Sequence, residues 1–282
     1  RLEPDSRRIA NQMTTAIRPV RENYYGDAAQ IPTPRKMAAA KFTSYEFWRG
    51  TGLDGAPVVA IATGFITKSH NKKTGDGRVG LSMVQTYIFR MDMSPVDASR
   101  LGLDKSVCGD CDLRQFTVRT AKRETGVQTA ECYVNLGWLT VTWKSWNAGK
   151  MPRISPAELG DIVEDSGMPL RQGAYGDPAV VPQDVWAQLD RGRGTSYSHQ
   201  WRTANVQAFA MASVTTLDEA AEAQAAGYRT YRVDVQQVGP QENEITCPAE
   251  SRGVSCADCG LCNGMRGAGA KNIVIHPMGK FK

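Results

Sequence analysis

The sequence predicts an α/β protein in which parallel strands alternate with helices, as a complete or partial βα barrel. Three observations carry this prediction. The chain has 282 residues, enough for one large α/β domain or two small ones. From residue 155 onward, short apolar runs alternate with helix-start signals. Turn-forming or polar residues follow several of the predicted strands, where functional residues gather in parallel sheets.

The first half of the chain predicts an arm and four strands. Residues 1–56 are polar and irregular, and they predict an extended N-terminal arm. Pro57 to Thr63 is an apolar run suited to a buried strand, and Val84 to Met91 is β-branched and aromatic. Cys132 to Asn135 and Trp138 to Trp143 predict two more strands, the second because its side chains alternate with a period of two.

In the second half of the chain, predicted helices alternate with predicted strands. Ser155-Pro156-Ala157-Glu158 has a capping serine, a proline at the first helical position and an acidic first turn, so it predicts a helix that ends at Gly167. The further predicted helices are Pro182 to Leu189 and Thr216 to Gly227. The further predicted strands are Pro169 to Ala174, Ser196 to His199, Val206 to Val214 and Tyr228 to Val235. We expect a barrel-like domain over 57–240 and an irregular cysteine-rich segment over 241–282.

Composition limits the class of protein. The hydrophobic fraction is 41% and the charged fraction is 22%, as in ordinary globular proteins. No apolar run approaches the ~18 residues of a membrane span, and the first residues have no signal-peptide core. We therefore expect a cytoplasmic protein without membrane contact. The net charge of +5 is compatible with nucleic acid or a nucleotide as partner.

Seven cysteines fall into two tight groups, which in a reducing compartment predicts metal or redox chemistry. The second group contains a C-x2-C-x2-C run and a more distant Cys-Pro. Its members are Cys247, Cys256, Cys259 and Cys262. This pattern resembles the ferredoxin ligand set of a [4Fe–4S] cluster. Zn²⁺ is the alternative, because all-cysteine zinc sites are common structural clips.

The first group, Cys108, Cys111 and Cys132, has one ligand fewer. Three thiolates leave one position open on a four-iron cluster or on zinc, and an open position is where chemistry takes place. A zinc site completed by one of the chain's histidines, His70, His199 or His276, stays open as an alternative. Arg114 is near enough in sequence to stabilise thiolates.

Two further features are candidates for chemistry. Gly176, Asp177 and Pro178 follow a predicted strand and are candidate cofactor-binding residues. Asp177 is also a candidate acid or base, with a turn carboxylate that caps the next helix as the alternative. His199 ends another predicted strand and is the second catalytic candidate, with a purely structural role as its alternative.

The order of these parts resembles a radical S-adenosylmethionine (SAM) enzyme over roughly residues 100–265. The resemblance implies that Cys108, Cys111 and Cys132 hold a [4Fe–4S] cluster, and that Gly176-Asp177-Pro178 corresponds to the glycine-rich motif that contacts the SAM amine. The four later cysteines would match an auxiliary cluster. The family spacing is C-x3-C-x2-C, whereas twenty residues separate Cys111 from Cys132 here.

A second resemblance rests on short strings spread over most of residues 70–276. They are Cys108-Gly-Asp-Cys111, Cys132-Tyr-Val-Asn135, Gly173-Ala-Tyr-Gly-Asp-Pro178, Ser198-His-Gln-Trp201, Met211-Ala-Ser213 and Cys247-Pro-Ala249. Together they look like a family of phage- and plasmid-encoded cysteine-rich proteins. This implies a bacterial host-cell setting and no particular activity.

Three functional hypotheses follow. The first is an iron–sulfur protein that is a radical-SAM-like enzyme modifying a nucleotide or nucleic acid. The second is a zinc-clipped nucleic-acid-binding or virion-associated phage protein without catalysis. The third is a catalytic barrel in which Asp177 and His199 act and zinc is only structural. The Lys- and Gly-containing stretch 70–80 lacks the order of a phosphate loop, so we predict no nucleoside triphosphate site there.

Overall fold

Nine strands form two sheets within the part of the chain that the computed structural model describes, residues 42–66, 82–125, 132–190, 194–264 and 270–277. All of these residues belong to one compact unit, 34–282. The first sheet contains β1 (Ser44–Thr51), β2 (Pro57–Thr63), β3 (Val84–Arg90) and β4 (Leu170–Tyr175), in that order. Its first two pairings are antiparallel, and β3 pairs with β4 in parallel.

The second sheet is parallel throughout. Its strands are β5 (Tyr197–Ser198), β6 (Met211–Val214), β7 (Thr230–Val233), β8 (Glu244–Thr246) and β9 (Asn272–Ile275). The spatial order is β5-β6-β7-β9-β8, so the last strand in sequence lies between its two predecessors. A parallel bridge between Arg171 and Thr195 links β4 to the residues just before β5. From β3 onward every pairing is therefore parallel, which confirms the predicted α/β class.

Nine α-helices lie on the described segments. The helices are α1 (Pro95–Arg100), α2 (Lys105–Cys108), α3 (Gln115–Thr125), α4 (Leu136–Asn147), α5 (Pro156–Ser166), α6 (Gln183–Leu189), α7 (Leu217–Ala225), α8 (Pro248–Ser251) and α9 (Cys256–Cys259). The signals for α5 and α7 act as predicted, because Ser155 with Glu158, and Thr216 with Glu219, each form a capping box. None of the described helices combines the length and apolar content of a membrane span.

The predicted strand over Trp138 to Trp143 is wrong, since these residues belong to α4. Asn135 caps this helix by accepting hydrogen bonds from the backbone amides of Gly137 and Trp138. Leu139 and Trp146 are buried, whereas Trp138 is 73% exposed. Helical spacing of the buried positions thus overrode the local alternation of side chains. Cys132 to Asn135 is not a strand either.

Other predicted boundaries also shift. The predicted strand Val206 to Val214 contains a turn first, and only Met211–Val214 is extended. The end of the predicted arm contains β1, while residues 1–41 and the stretch 67–81 lie outside the described residues. The cysteine-rich segment, expected to be irregular, contributes β8 and β9 to the parallel sheet.

A buried ion-pair network fixes the strands that lead into the second cysteine group. Arg232 of β7 has a fully buried side chain, and its guanidinium contacts Glu244 of β8 at 2.6 Å and Asp234 at 2.7 Å. It also donates to the carbonyl of Gly239 at 2.7 Å. Loss of Arg232 would leave two buried carboxylates without a counter-ion, at a cost of about 3–5 kcal/mol. The network therefore holds β8, and with it Cys247, in place.

Candidate functional site

One cavity of about 180 Å³ is lined by all seven cysteines. The first group contributes Cys108, Cys111 and Cys132, and the second contributes Cys247, Cys256, Cys259 and Cys262. The cavity runs along the parallel strands and reaches their carboxyl ends, where Gly176 and Asp177 after β4, His199 after β5 and Ser213 in β6 also line it. The two groups, which are distant in sequence, therefore face a common space.

The turn between Cys108 and Cys111 is held by one arginine. Cys108 is the last residue of α2, and Arg114 follows the turn. The Arg114 guanidinium donates to the Gly109 carbonyl at 2.9 Å and pairs with buried Asp104 at 3.1 Å. Arg114 therefore shapes the backbone between the two cysteines.

The long gap before Cys132 is closed by backbone pairing. The amide of Cys132 donates to the Leu113 carbonyl at 2.7 Å. The side-chain amide of Gln115 donates to the Val134 carbonyl at 3.2 Å. Helix α3 begins at Gln115, directly after the turn that these two hydrogen bonds join to Cys132 and Val134. The spacing that departs from the SAM family pattern thus still brings the third cysteine to the same cavity.

Gly109 lets the side chain of Gln200 lie close to the backbone of the Cys108–Cys111 turn. Its φ is +57° and its ψ is −133°, a conformation that side chains disfavour. A Cβ at Gly109 would lie 2.3 Å from the side-chain amide carbon and nitrogen of Gln200. The Nε2 atom of Gln200 is buried and has no hydrogen-bond partner among the described residues. An unused N–H donor therefore lies against the Cys108–Cys111 turn.

The second group is held at the end of β8 and in the segment that follows. The amide of Cys247 donates to the Val274 carbonyl of β9 at 2.8 Å. Ser255 caps α9, which carries Cys256 and Cys259. The carbonyl of Cys262 accepts from the Ser196 amide at 2.8 Å, next to β5. Each of these four cysteines is thus tied to the sheet or to a capped turn.

Arg229 fixes the loop that bears Cys262. Its guanidinium donates to the carbonyls of Asn263 at 2.7 Å, Leu261 at 3.0 Å and Lys271 at 2.8 Å. Charged donors of this kind contribute about 1.5–3 kcal/mol each. One side chain just before β7 therefore joins both flanks of Cys262 to the residue that leads into β9.

Burial and crowding disfavour the thiolate form of one cysteine in each group, Cys108 and Cys262. Burial raises the pKa of Cys108 well above its usual value, and the neighbouring Asp104, Cys111 and Cys132 raise it further. Burial likewise raises the pKa of Cys262, with added repulsion from the other cysteines of the second group. Negative charge at either group is therefore unfavourable unless a cation compensates it.

The donor chemistry fits a metal at both groups. Among the described residues, no three histidine, cysteine, aspartate or glutamate side chains stand in an arrangement that holds one ion directly. The fit rests instead on the chemistry of the donors. In each group the thiols lie close enough to raise each other's pKa, and a bound cation would lower those pKa values again. Each sulfur turns about a single side-chain bond with three staggered positions. The ligand sets named from the sequence stay predictions.

Asp177 joins the β4 and β5 ends of the cavity. Its carboxylate accepts from the Ser198 hydroxyl at 2.6 Å, the His199 amide at 2.7 Å and the Ala179 amide at 2.9 Å. Its own amide donates to the Val107 carbonyl at 2.6 Å. Burial raises the pKa of Asp177 to about 6, against the lowering effect of these hydrogen bonds. Asp177 thus caps the turn after it, as the alternative reading proposed, and also lines the cavity.

Of the other candidate residues from the sequence, some line the cavity and some do not. His199 lines the cavity, and burial lowers its pKa to about 4, so its imidazole is neutral near pH 7. Gly176 also lines it and lies against β3, where a Cβ would come 2.8 Å from the Cβ of Ile88. Pro178 is buried and begins a 3₁₀ turn, Pro178–Val180, behind the lining. His70 lies outside the described residues.

Sequence reasoning missed several cavity residues that lie within strands or beside them. Arg171 of β4 lines the wall, and its guanidinium lies 5.6 Å from the ring centre of Tyr133 and donates to that residue's hydroxyl. Tyr197 and Tyr231 pack with ring centres 4.1 Å apart on another part of the wall. No local motif marks these residues, because strand register alone turns them toward the cavity.

Comparisons of the chain with protein-family models, with curated proteins and with solved structures find no match.

Proposed function

We propose that this chain is an iron–sulfur protein in which two cysteine-ligated [4Fe–4S] clusters face one cavity, and that it acts as a radical-SAM-like enzyme on a nucleotide or nucleic acid. The observation that carries the proposal is the lining of a single cavity by both cysteine groups. Clusters are favoured over Zn²⁺ by the C-x2-C-x2-C run with its added Cys-Pro. The net charge of +5 supports an anionic substrate.

The order of the strands supports the comparison with SAM enzymes and a partial βα barrel. The first cysteine group follows β3, the earliest strand with a parallel neighbour. Gly176 and Asp177 follow β4, the next strand. In the family that the sequence resembles, these two positions hold the cluster and the SAM amine. Both meet the same cavity here.

Cys108, Cys111 and Cys132 would hold a cluster with one open position, and that cluster would supply the one-electron reduction of SAM. The chain's own residues prepare the space for this. Arg114 and Gly109 shape the turn that presents two of the three thiols. Asp177 fixes the loops after β4 and β5 against each other. The rings of Tyr197 and Tyr231 form part of a largely apolar wall that limits water.

Anaerobic purification of the protein and three variants tests the proposal. Cys111→Ser and Cys259→Ser each remove a ligand of one group, and Ser213→Ala changes a cavity residue that is no proposed ligand. We expect each cysteine variant to lose the iron and sulfide of one centre and keep those of the other, while Ser213→Ala keeps both. Bound zinc without iron in the unchanged protein would overturn the cluster assignment and favour the zinc-clipped alternative.

The SAM step has its own readout. With dithionite as the reductant, the unchanged protein should release methionine from SAM, and Cys111→Ser should not. Cys259→Ser should still release methionine, because the first group keeps its ligands. Iron-loaded protein that releases no methionine would remove the radical-SAM part of the proposal and leave the iron–sulfur part standing.

A further inference from the structure

We propose that Arg171 forms an oxyanion subsite in the cavity wall, which takes the carboxylate or phosphate of a small-molecule ligand. This deepens the proposed function, because it names the chemistry of the ligand that the same cavity receives. Arg171 is the only lysine or arginine among the described residues that line the cavity. An arginine presents five donors in a fixed planar fork suited to carboxylate or phosphate.

The guanidinium has unused bonding capacity. No carboxylate pairs with Arg171 among the described residues, and its buried Nε atom has no hydrogen-bond partner there. The ring and hydroxyl of Tyr133 hold one side of the group and supply no negative charge. A partly buried cation without a counter-ion is unfavourable, so its position in a ligand cavity points to an anion supplied by the ligand.

A second buried donor lies next to Arg171. Thr195, which bridges to Arg171 across the junction of the two sheets, is 2% exposed and lines the cavity. Its hydroxyl also has no hydrogen-bond partner among the described residues. The cavity's own carboxylate, Asp177, is committed to Ser198 and to backbone amides. Among the described residues that line the cavity, no carboxylate is left to pair with Arg171, so Arg171 and Thr195 are placed to bind an anion that a ligand supplies.

The aromatic residues indicate what else the ligand carries. Tyr197 and Tyr231 line the same cavity as a packed pair of rings. A flat ring would pack against them, as aromatic groups do at offset or tilted angles. The ligand class is thus a small molecule with one flat ring and one carboxylate or phosphate.

Binding of matched charged and neutral probes tests the subsite by calorimetry. Adenosine 5′-monophosphate against adenosine tests a phosphate, and phenylacetate against phenylacetamide tests a carboxylate. We expect the unchanged protein to prefer the charged member of at least one pair by roughly 10- to 100-fold. Arg171→Gln should abolish that preference. The control Arg100→Gln removes the same charge from an exposed helix position outside the cavity and should keep it.

Metal content, measured on each sample, separates this proposal from the proposed function. A preference for the anion that disappears in Arg171→Gln supports the subsite whichever metal the protein holds. Absence of any preference, or its persistence in Arg171→Gln, overturns the subsite. If Arg171→Gln loses metal, Arg171→Lys decides: it must keep the metal and at least part of the anion preference, and failure of either assigns Arg171 to the metal centre instead.

Discussion

Replacement of Gly109 by alanine tests how tightly the Cys108–Cys111 turn is built. The new Cβ would meet the Gln200 side-chain amide at 2.3 Å, and the backbone would keep a φ of +57° that alanine disfavours. The backbone strain is worth about 1–3 kcal/mol, and the overlap with the buried glutamine adds about 1–3 kcal/mol. We therefore expect Gly109→Ala to lower the free energy of unfolding by about 2–6 kcal/mol.

The assay is urea unfolding under anaerobic conditions, followed by circular dichroism, with iron measured on the same samples. Gly149→Ala is the matched control, because Gly149 has a φ of +70° and nothing within 4 Å of an added Cβ. Only the backbone cost of about 1–2 kcal/mol applies there. Gln200→Ala in the Gly109→Ala background should recover the part of the stability loss that comes from the overlap with the Gln200 side chain. Equal losses at the two glycines, or no recovery without the glutamine side chain, would refute the proposed contact.

Three further predictions address the site and the fold. The pKa of Asp177, about 6 against a usual 3.8, implies that stability falls by about 3 kcal/mol as pH rises from about 4 to about 6. Asp177→Asn should remove this fall in urea unfolding, and an unchanged pH profile would contradict it. Arg229→Ala should lower the iron content of the second cysteine group, whereas Arg252→Ala, at an exposed position, should not. Equal iron content in the two variants would contradict the role of Arg229 in fixing the loop that bears Cys262. Leu139→Ala should lower the free energy of unfolding by about 2–5 kcal/mol, and Trp138→Ala should lower it by under about 0.5 kcal/mol. A larger loss for Trp138→Ala than for Leu139→Ala would contradict the helix and support the predicted strand.

Local signals predicted the local structure well where a single chemical cause dominates. The serine, proline and glutamate at residues 155–158 define a helix start, because each satisfies or removes an orphan backbone donor. The apolar run Pro57 to Thr63 is a buried strand as predicted. Alternation over Trp138 to Trp143 misled, because six residues fit both a strand and one face of a helix.

The site depends on relations that sequence order does not reveal. The two cysteine groups share a cavity because β9 inserts between β7 and β8, and because the β4–β5 junction joins the two sheets. Neither relation has a local signature. Cys132 reaches the first group through one backbone bond to Leu113, which bridges the twenty-residue gap. Nothing in the local sequence distinguishes Arg171 from an arginine on the exposed face of a strand, and only the strand register places it against the cavity.

The metal content of protein purified without exposure to oxygen decides whether the two cysteine groups hold [4Fe–4S] clusters. Elemental analysis, acid-labile sulfide and visible absorption are read on one anaerobic sample of the full chain. We expect iron and sulfide in equal amounts, about eight of each per chain for two [4Fe–4S] clusters, with the absorption of iron–thiolate bonds. A colourless protein that contains stoichiometric zinc and no iron would contradict it.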